Sequence, residues 1–198
     1  MKQSLIIMGA VSMLLAGSVH ANQVNNEASK PGLLKVGAQV PDFALKDQGG
    51  KEWKLSTRKG TKTVVLAIGS VMCECGRDSL KELQVIQDKY GSRGLQVVHL
   101  NIEPWQLDWD PEYLRRFAKE NKIAFPLLAD KDLIVSSQFP MDRMPLMCLV
   151  DTKGVLRFML AGRPNDYVKQ VTQQVEKHLP PPPKPSNNGA MGPGAANK

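Results

Sequence analysis

Residues 64–77, VVLAIGSVMCECGR, decide the fold of this chain because two patterns of different period meet in them. The stretch opens with five consecutive apolar residues, which is typical of a strand covered on both faces. From Leu80 to Tyr90 apolar residues recur at spacings of three and four, and this period predicts a helix over residues 75–90. The two cysteines of the stretch, Cys73 and Cys75, therefore lie where a buried strand becomes a helix.

Further strands are predicted on both sides of this unit. Residues 41–55 alternate apolar and polar side chains around a glycine turn, which indicates a small hairpin at an edge of the fold. Residues 95–101 and 146–150 are strands of the buried type, and an Asp-Thr-Lys-Gly turn leads the second one into an antiparallel partner at residues 155–159. A short extended segment is expected at residues 125–128.

Three more helices complete the pattern. Residues 110–112, Asp-Pro-Glu, open one that ends near Asn121, because aspartate caps free amides, proline suits the first helical position and glutamate favours the positive end of the helix dipole. A brief helix is predicted over residues 132–138 and a last one over residues 166–178. Since right-handed crossovers join parallel strands, the expected fold class is α/β, with a central mixed sheet, helices on both faces and an N-terminal β-hairpin.

The two ends of the chain predict export and an unstructured tail. Residues 1–21 combine a lysine at position 2, an apolar run and small residues before the end, which is the pattern of a cleaved signal peptide. Residues 22–33 are expected to be a flexible segment. Residues 180–198 are expected to be a disordered tail rich in Pro, Gly and Ala, because they begin with four prolines and carry almost no large apolar side chains. The folded domain is expected over residues 34–179.

Composition limits the partners and the location. The 198 residues carry a formal net charge of +7, with lysines and arginines scattered among acids, so the basic stripe that nucleic acid requires is not present in the sequence. The apolar run near the start is too short to span a bilayer comfortably, and no second such run follows. We therefore expect a monomer in the periplasm, with no attachment to the membrane after signal cleavage.

The position of the two thiols predicts redox chemistry. The first turn of a helix has unpaired amide protons and a positive dipole end, which stabilise a thiolate and lower the pKa of a cysteine. The thiolate is the reactive form of the side chain. In an exported protein, Cys73 and Cys75 are also close enough in sequence to form a reversible disulfide.

Three segments together resemble a known group of proteins. They are residues 64–73 followed by a helix, the pair Met144-Pro145 before an apolar strand, and the hairpin residues 149–154, LVDTKG. In this order they resemble thioredoxin-fold redoxins over about residues 36–178. The nearest groups are the periplasmic thiol-disulfide oxidoreductases of the cytochrome-maturation type and the alkyl hydroperoxide reductase (AhpC/TSA) superfamily.

The resemblance implies roles for individual residues. Cys73 matches the attacking cysteine of the group. If the chain exchanges disulfides, we expect Cys75 to be the resolving cysteine. Pro145 matches the cis proline that faces the attacking cysteine, and Met144 would offer its backbone to an extended substrate. The implied partners are protein thiols or disulfides, and the implied reaction needs no cofactor.

The chain departs from the pattern of this group at four positions. Gly76 stands where the second cysteine of the usual Cys-x-x-Cys belongs, and Cys75 comes one residue early. Met72 replaces the usual tryptophan, and Ala67 replaces the buried acid of thioredoxins proper. A Cys73–Cys75 bond closes a smaller ring than usual, which predicts a strained and easily reduced disulfide.

Several functions remain open at this point. The first is thiol-disulfide exchange. The second is binding or delivery of Cu(I), for which Cys73, Cys75, Met72 and Met144 supply soft ligands, although the histidine that copper chaperones of this fold place near the cis proline is missing. The third is peroxide reduction, since Ser70 precedes Cys73 by three residues, as a Ser or Thr does in peroxiredoxins. The fourth is a binding module with unreactive thiols.

Five other residues draw attention. Cys148 lies in an apolar strand and is interpreted as a core thiol, and His99 is likewise interpreted as a core histidine. Glu103 follows the second buried strand and is a candidate accessory acid near the thiols. Trp105 and Trp109 form an aromatic loop that could cover a partner surface or cap the core.

Overall fold

The computed structural model describes residues 32–103 and 111–180. In this part of the chain the strands are β1 Ala44–Lys46, β2 Glu52–Lys54, β3 Thr63–Gly69, β4 Leu95–Asn101, β5 Leu127–Ala129, β6 Leu146–Val150 and β7 Leu156–Ala161. The α-helices are α1 Glu74–Tyr90, α2 Pro111–Glu120 and α3 Tyr167–His178. Short 3-10 turns lie at Ser56–Arg58, Gly91–Arg93 and Ser136–Gln138.

Five of the strands form one mixed sheet in the order β5-β4-β3-β6-β7. Strands β3, β4 and β5 are parallel, whereas β6 and β7 each pair antiparallel with their neighbours. Strands β1 and β2 pair with each other as a separate antiparallel hairpin. The expected α/β class, the central mixed sheet and the N-terminal hairpin are therefore confirmed.

The two faces of the sheet are covered differently. Val65 and Ala67 of β3 face a core cluster to which all three α-helices contribute, while Val64, Leu66 and Ile68 face a second cluster. Strands β3, β4 and β5 follow one another across the sheet towards the same edge. Because both connections between them are right-handed crossovers, α1 and α2 lie on the same face of the sheet. The second face, where a helix was also expected, carries the hairpin and a 3-10 turn.

The prediction of a helix over residues 132–138 is wrong for most of that segment. Only Ser136–Gln138 is helical, as a 3-10 turn. Leu133 has a left-handed backbone with φ 54°, which no α-helix contains. The carboxylate of Asp130 accepts hydrogen bonds from the N–H groups of Val135 and Ser136, at 3.3 and 2.7 Å, and these bonds hold a turn instead.

Helix α1 connects the thiols to the core. Leu80, Leu83, Ile86 and Tyr90 are buried on its inner face, as their spacing predicted. Burial of each such side chain stabilises the fold by roughly 1.5–3 kcal/mol. The guanidinium of Arg163, in the loop before α3, donates to both oxygens of Glu82 at 2.9 and 2.7 Å, so the helix is also tied at its surface.

Some expectations fall outside the described residues. These are the signal peptide at residues 1–21, most of the flexible segment at 22–33, the loop with Trp105 and Trp109, and nearly all of the tail at 180–198. Among the residues that are described, no helix is both long enough and apolar enough to cross a membrane.

Candidate active site

The two thiols lie together at the start of α1. Cys73 is the residue before the first turn, with an extended backbone (φ −77°, ψ 134°), and Cys75 is the second residue of the helix. The Cys73 side chain is exposed and the Cys75 side chain is half-buried. Both are free thiols, and their sulfurs are 2.6 Å apart. The strand-to-helix junction predicted from the sequence thus brings the sulfurs into contact.

The pKa values of the two thiols shift in opposite directions. Contact with the Cys75 sulfur, the backbone N–H groups of Gly76 and Cys75 and the charge of Arg77 together lower the pKa of Cys73, against a small opposing effect of burial. The Cys73 sulfur and burial raise the pKa of Cys75. Cys73 is therefore the thiol that ionises first, and Cys75 keeps its proton at neutral pH.

Gly76 has a steric reason to be glycine. A Cβ atom placed on it would lie only 2.2 Å from the carbonyl oxygen of Ser70, which is far inside van der Waals contact. The first turn of α1 thus packs directly on the backbone of the preceding loop. A cysteine at this position, as in the usual Cys-x-x-Cys spacing, would require that backbone to move.

The thiols open into a small apolar cavity of about 230 Å³. Its walls are formed by Gly69, Ser70, Cys73, Cys75, Gly76, Ile102, Met144 and Pro145. The Met144–Pro145 peptide bond is cis, as the resemblance implied, and the cavity brings both residues to the thiols. Met72 is exposed and is not among these walls, so only three of the four predicted soft ligands line one cavity.

Glu103 holds the loop that precedes Cys73. Its carboxylate accepts hydrogen bonds from the Ser70 hydroxyl at 2.8 Å and from the Val71 N–H at 3.0 Å. The Ser70 hydroxyl in turn accepts a bond from the Met72 N–H at 3.0 Å. The candidate accessory acid therefore lies next to the site, where it contacts the loop and not the sulfurs.

Asn101 is a residue of the site that the sequence reasoning missed. Its Oδ1 atom accepts a hydrogen bond from the Val71 N–H at 3.2 Å. The signal was available, because His99, Asn101 and Glu103 alternate along the end of β4 and beyond it, and alternating residues of a strand share one face. His99 is buried and bonds through Nδ1 to the Ala67 carbonyl at 2.8 Å.

Cys148 does not belong to the site. It lies in the middle of β6, fully buried between Leu66 of β3 and Met159 of β7. Its side chain belongs to the second core cluster, on the sheet face away from α1. Burial raises the pKa of this thiol, so it stays protonated and unreactive.

No group of three or more His, Cys, Asp and Glu side chains in residues 32–103 and 111–180 is placed to hold an ion. The soft donors that do share a cavity are Cys73, Cys75 and Met144. Two thiolates and a thioether are a donor set that suits Cu(I).

Comparisons with known proteins agree with this geometry. Residues 36–159 match the sequence model of the AhpC/TSA family. The chain is 22% identical to the thiol-disulfide oxidoreductase ResA of Geobacillus kaustophilus (strain HTA426) over 178 residues, which is 90% of this chain and 95% of that one. It is 27% identical to the thioredoxin-like protein YneN of Bacillus subtilis (strain 168) over 156 residues, 79% of this chain and 89% of that one.

A solved structure shares the fold. A putative thiol:disulfide interchange protein DsbE from Chlorobium tepidum superposes with a TM-score of 0.64 at 26% identity. The match covers 73% of this chain and 98% of the other. The sheet and helices described above are therefore those of a thioredoxin-like fold.

Proposed function

Because the chain belongs to the AhpC/TSA family, we propose that it is a thiol-disulfide oxidoreductase that exchanges disulfides with protein partners through Cys73 and Cys75. One observation carries the proposal: the two sulfurs touch at the start of α1, and their pKa values shift in opposite directions. Such a pair can carry out both steps of an exchange, because the ionised thiol attacks the partner disulfide first and the protonated thiol attacks in the second step. The relatives named thiol-disulfide oxidoreductase support this class of reaction.

The exchange takes two steps. The Cys73 thiolate attacks a disulfide of the partner, forms a mixed disulfide with one partner sulfur and releases the other as a thiolate. Cys75 then attacks the Cys73 sulfur, which releases the second partner thiol and leaves a Cys73–Cys75 disulfide. The reverse sequence oxidises a partner. No organic cofactor is needed, because the dithiol form of Cys73 and Cys75 carries the two electrons that reduce the disulfide of the partner.

The other residues of the cavity have positioning roles in this proposal. Met144 and Pro145 line the same cavity as the thiols. In this proposal the Met144 backbone pairs with an extended segment of the partner. Glu103 keeps the Ser70–Val71 segment in place and so fixes the distance between the loop and the attacking sulfur. Glu103 therefore affects the reaction only through the position of the loop that carries Cys73.

We place this activity in the periplasm and assign it to a monomer. The signal-peptide pattern of residues 1–21 supports the location. Mass spectrometry of the protein from a periplasmic fraction tests the location, with a mature chain that begins at Asn22 as the expected result. Recovery of the full-length chain from the cytoplasm would contradict it. Light scattering of the purified protein tests the monomer.

Turnover and a trapped intermediate test the exchange itself. Reduction of insulin by dithiothreitol should accelerate with the wild-type protein and lose that acceleration in Cys73→Ser. Cys75→Ser should still attack but should not resolve, so it should accumulate a mixed disulfide that gel electrophoresis detects. Cys148→Ala is the matched control, and it should keep the wild-type turnover. Full turnover in Cys73→Ser would refute the proposal.

Binding or delivery of Cu(I) is the competing function. The observation that favours it is that Cys73, Cys75 and Met144 line one cavity. Titration with Cu(I) against a chromogenic competing chelator tests this reading, since it predicts stoichiometric tight binding that Met144→Leu weakens, together with no insulin reduction. Turnover without competitive copper binding excludes it.

Peroxide reduction is a weaker alternative. The Ser70 hydroxyl, which suggested this alternative, donates its hydrogen bond to Glu103. The hydroxyl proton is therefore not directed at a peroxide bound by Cys73. Consumption of hydrogen peroxide in the presence of a thiol reductant, compared between wild type and Cys73→Ser, decides the question. A rate that depends on Cys73 and exceeds the insulin rate would favour a peroxidase.

A further inference from the structure

A second cavity lies at the end of the sheet away from the thiols. Val150, the last residue of β6, pairs with Val64 near the start of β3, whereas the thiols follow Gly69 at the other end of β3. The cavity begins at the residue after Val150 and has a volume of about 590 Å³, which is ample for a small ligand. Its walls come from separate segments of the chain: residues 36–37, the turn at residues 151–153, Arg157 of β7 and residues 177–178 at the end of α3. The exchange proposed above does not involve this cavity.

Most of the charged groups in this cavity are cations. Lys153, Arg157 and Lys177 line it together with a single carboxylate, that of Asp151, which leaves a net charge of +2 while His178 is neutral. The carboxylate is already engaged, because Nε of Arg157 donates a hydrogen bond to it at 2.6 Å. Within residues 32–103 and 111–180 the exposed ammonium groups of Lys153 and Lys177 form no ion pair. Two full positive charges therefore face the cavity without a counterion from the described chain.

The imidazole of His178 responds to the positive potential of the cavity. Burial is the largest cause that lowers the pKa of His178, and the charges of Lys177 and Arg157 lower it further, against a smaller opposing effect of Asp151. At the position of the ring the cations thus outweigh the carboxylate. The end of α3 contributes the negative end of a helix dipole, which is equivalent to only about −0.5 elementary charge. The net field in the cavity therefore favours an anion.

Hydrogen bonds hold the walls of the cavity in place. The Asp151 carboxylate accepts a bond from the Lys153 N–H at 2.8 Å, which fixes the turn. Nε2 of Gln39 donates to the Lys153 carbonyl oxygen at 3.1 Å and ties the same turn to the N-terminal segment. On the opposite wall, the Thr63 hydroxyl donates to the His178 carbonyl oxygen at 3.1 Å and fixes the end of α3. Because the backbone is held in this way, a ligand has little of the protein to order when it binds.

We propose that this cavity binds a phosphate oxyanion through Lys153, Arg157 and Lys177. A phosphate group presents several acceptor oxygens, and its hydrogen bonds to guanidinium and ammonium groups are about twice as strong as those between neutral groups. Since Arg157 uses Nε for Asp151, its two terminal nitrogens remain as donors for the ligand. No aromatic side chain is among the described walls, so the site recognises the phosphate and not an attached ring.

Inorganic pyrophosphate is the first probe, and the ring of His178 is the reporter. An NMR titration of the ring proton against pH measures the His178 pKa in the wild-type protein, so this result does not depend on the folding of any variant. Saturating pyrophosphate should raise that pKa relative to chloride at equal ionic strength, because a bound anion offsets the charges of Lys177 and Arg157.

Two double variants of equal net charge test which lysines bind the anion. Lys153→Gln with Lys177→Gln should weaken pyrophosphate binding by about tenfold or more, measured by calorimetry, because two charge-assisted contacts are lost. Lys119→Gln with Lys169→Gln is the matched control, because it removes the same charge from exposed positions of α2 and from the first turn of α3, outside the cavity walls. The control should bind as wild type does, and thermal unfolding should be the same for both variants.

Vesicles distinguish a soluble phosphate from a lipid headgroup as the source of the ligand. Cosedimentation with phosphatidylglycerol vesicles, but not with phosphatidylcholine vesicles, that is lost in the Lys153/Lys177 variant would assign the site to a headgroup. Lysine-dependent binding of pyrophosphate without cosedimentation would assign it to a soluble oxyanion. Equal affinities in the two double variants, an unchanged His178 pKa with pyrophosphate bound, or binding of neither probe would overturn the proposal.

Discussion

Cys73 and Cys148 carry the same side chain in two regions of one fold, and the regions give them opposite chemistry. Cys73 lies at the open end of β3, beside the first turn of α1, where backbone N–H groups and the Cys75 sulfur lower its pKa. Cys148 lies in the middle of β6, where burial alone raises its pKa. The comparison teaches that the place of a thiol in the fold determines whether it reacts.

Accessibility adds to the difference in pKa. Cys73 opens into the apolar cavity beside Met144 and Pro145. Cys148 has no exposed surface, and its strand is paired on both sides by β3 and β7. A reagent reaches it only when the sheet itself opens, so its reactivity reports the stability of the whole domain.

Alkylation should show the largest contrast between the two regions. With iodoacetamide near neutral pH, Cys73 should react at least ~10⁴ times faster than Cys148, because exposure of a central strand requires global unfolding. The Cys73 rate should rise with pH and reach half of its maximum below the ordinary value of 9.0. Peptide mass mapping over time measures both rates. Rapid labelling of Cys148 in the folded protein would break the comparison.

Alanine substitutions should separate activity from stability. Cys75→Ala should reduce insulin turnover by about 100-fold or more with little change in unfolding, since the side chain is half-buried at a helix start. Cys148→Ala should keep turnover and lower the free energy of unfolding by about 1–2 kcal/mol, because it removes a buried sulfur. Turnover and urea denaturation of both variants give the four values. Lost turnover in Cys148→Ala would contradict the assignment of Cys148 to the core.

Gly76→Ala tests how tightly the thiol region is packed. A Cβ at this position meets the Ser70 carbonyl oxygen at 2.2 Å, so we expect a loss of about 1–3 kcal/mol in the free energy of unfolding, with slower turnover. Gly32→Ala is the matched control, because a Cβ at Gly32 meets nothing within 4 Å. Thermal unfolding and insulin turnover measure both variants. An unchanged melting temperature in Gly76→Ala would show that this backbone moves easily.

Arg77→Gln should have the smallest effect. The guanidinium donates to the Met72 carbonyl at 3.1 Å, and its charge is the last of the influences that lower the Cys73 pKa. We expect the Cys73 pKa to rise slightly, measured from thiolate absorbance against pH, and Arg77→Lys to reverse part of that rise. Arg157→Gln, at the other end of the sheet, should leave the Cys73 pKa unchanged.

Much of this fold could be predicted from local pattern. The five apolar residues at the start of the 64–77 stretch and the spacing from Leu80 to Tyr90 predicted β3 and α1 within one residue of their observed bounds. The failure at residues 132–138 has a local cause that propensity does not contain, because Asp130 bonds the amides of Val135 and Ser136 and holds a turn.

The site could be predicted only in outline. The approach of Cys73 and Cys75 followed from their spacing, and Met144 with Pro145 came from the resemblance. Asn101 was missed, since its role depends on a hydrogen bond to Val71, thirty residues earlier in the chain. The sequence also showed no difference in pKa between the two thiols, because that difference depends first on the contact between the two sulfurs and then on the burial of each side chain.

The amino-acid sequence by itself determined where the main strands and helices form, because the pattern of apolar residues along the chain differs between the two. It also determined that two thiols lie at a junction between a strand and a helix. Only the tertiary structure decided what surrounds those thiols. It set the first turn of α1 on the Ser70 carbonyl, where only Gly76 fits, and it placed the His99 ring behind Gly69. These contacts join residues from different elements, so distance in space rather than order in sequence determines them.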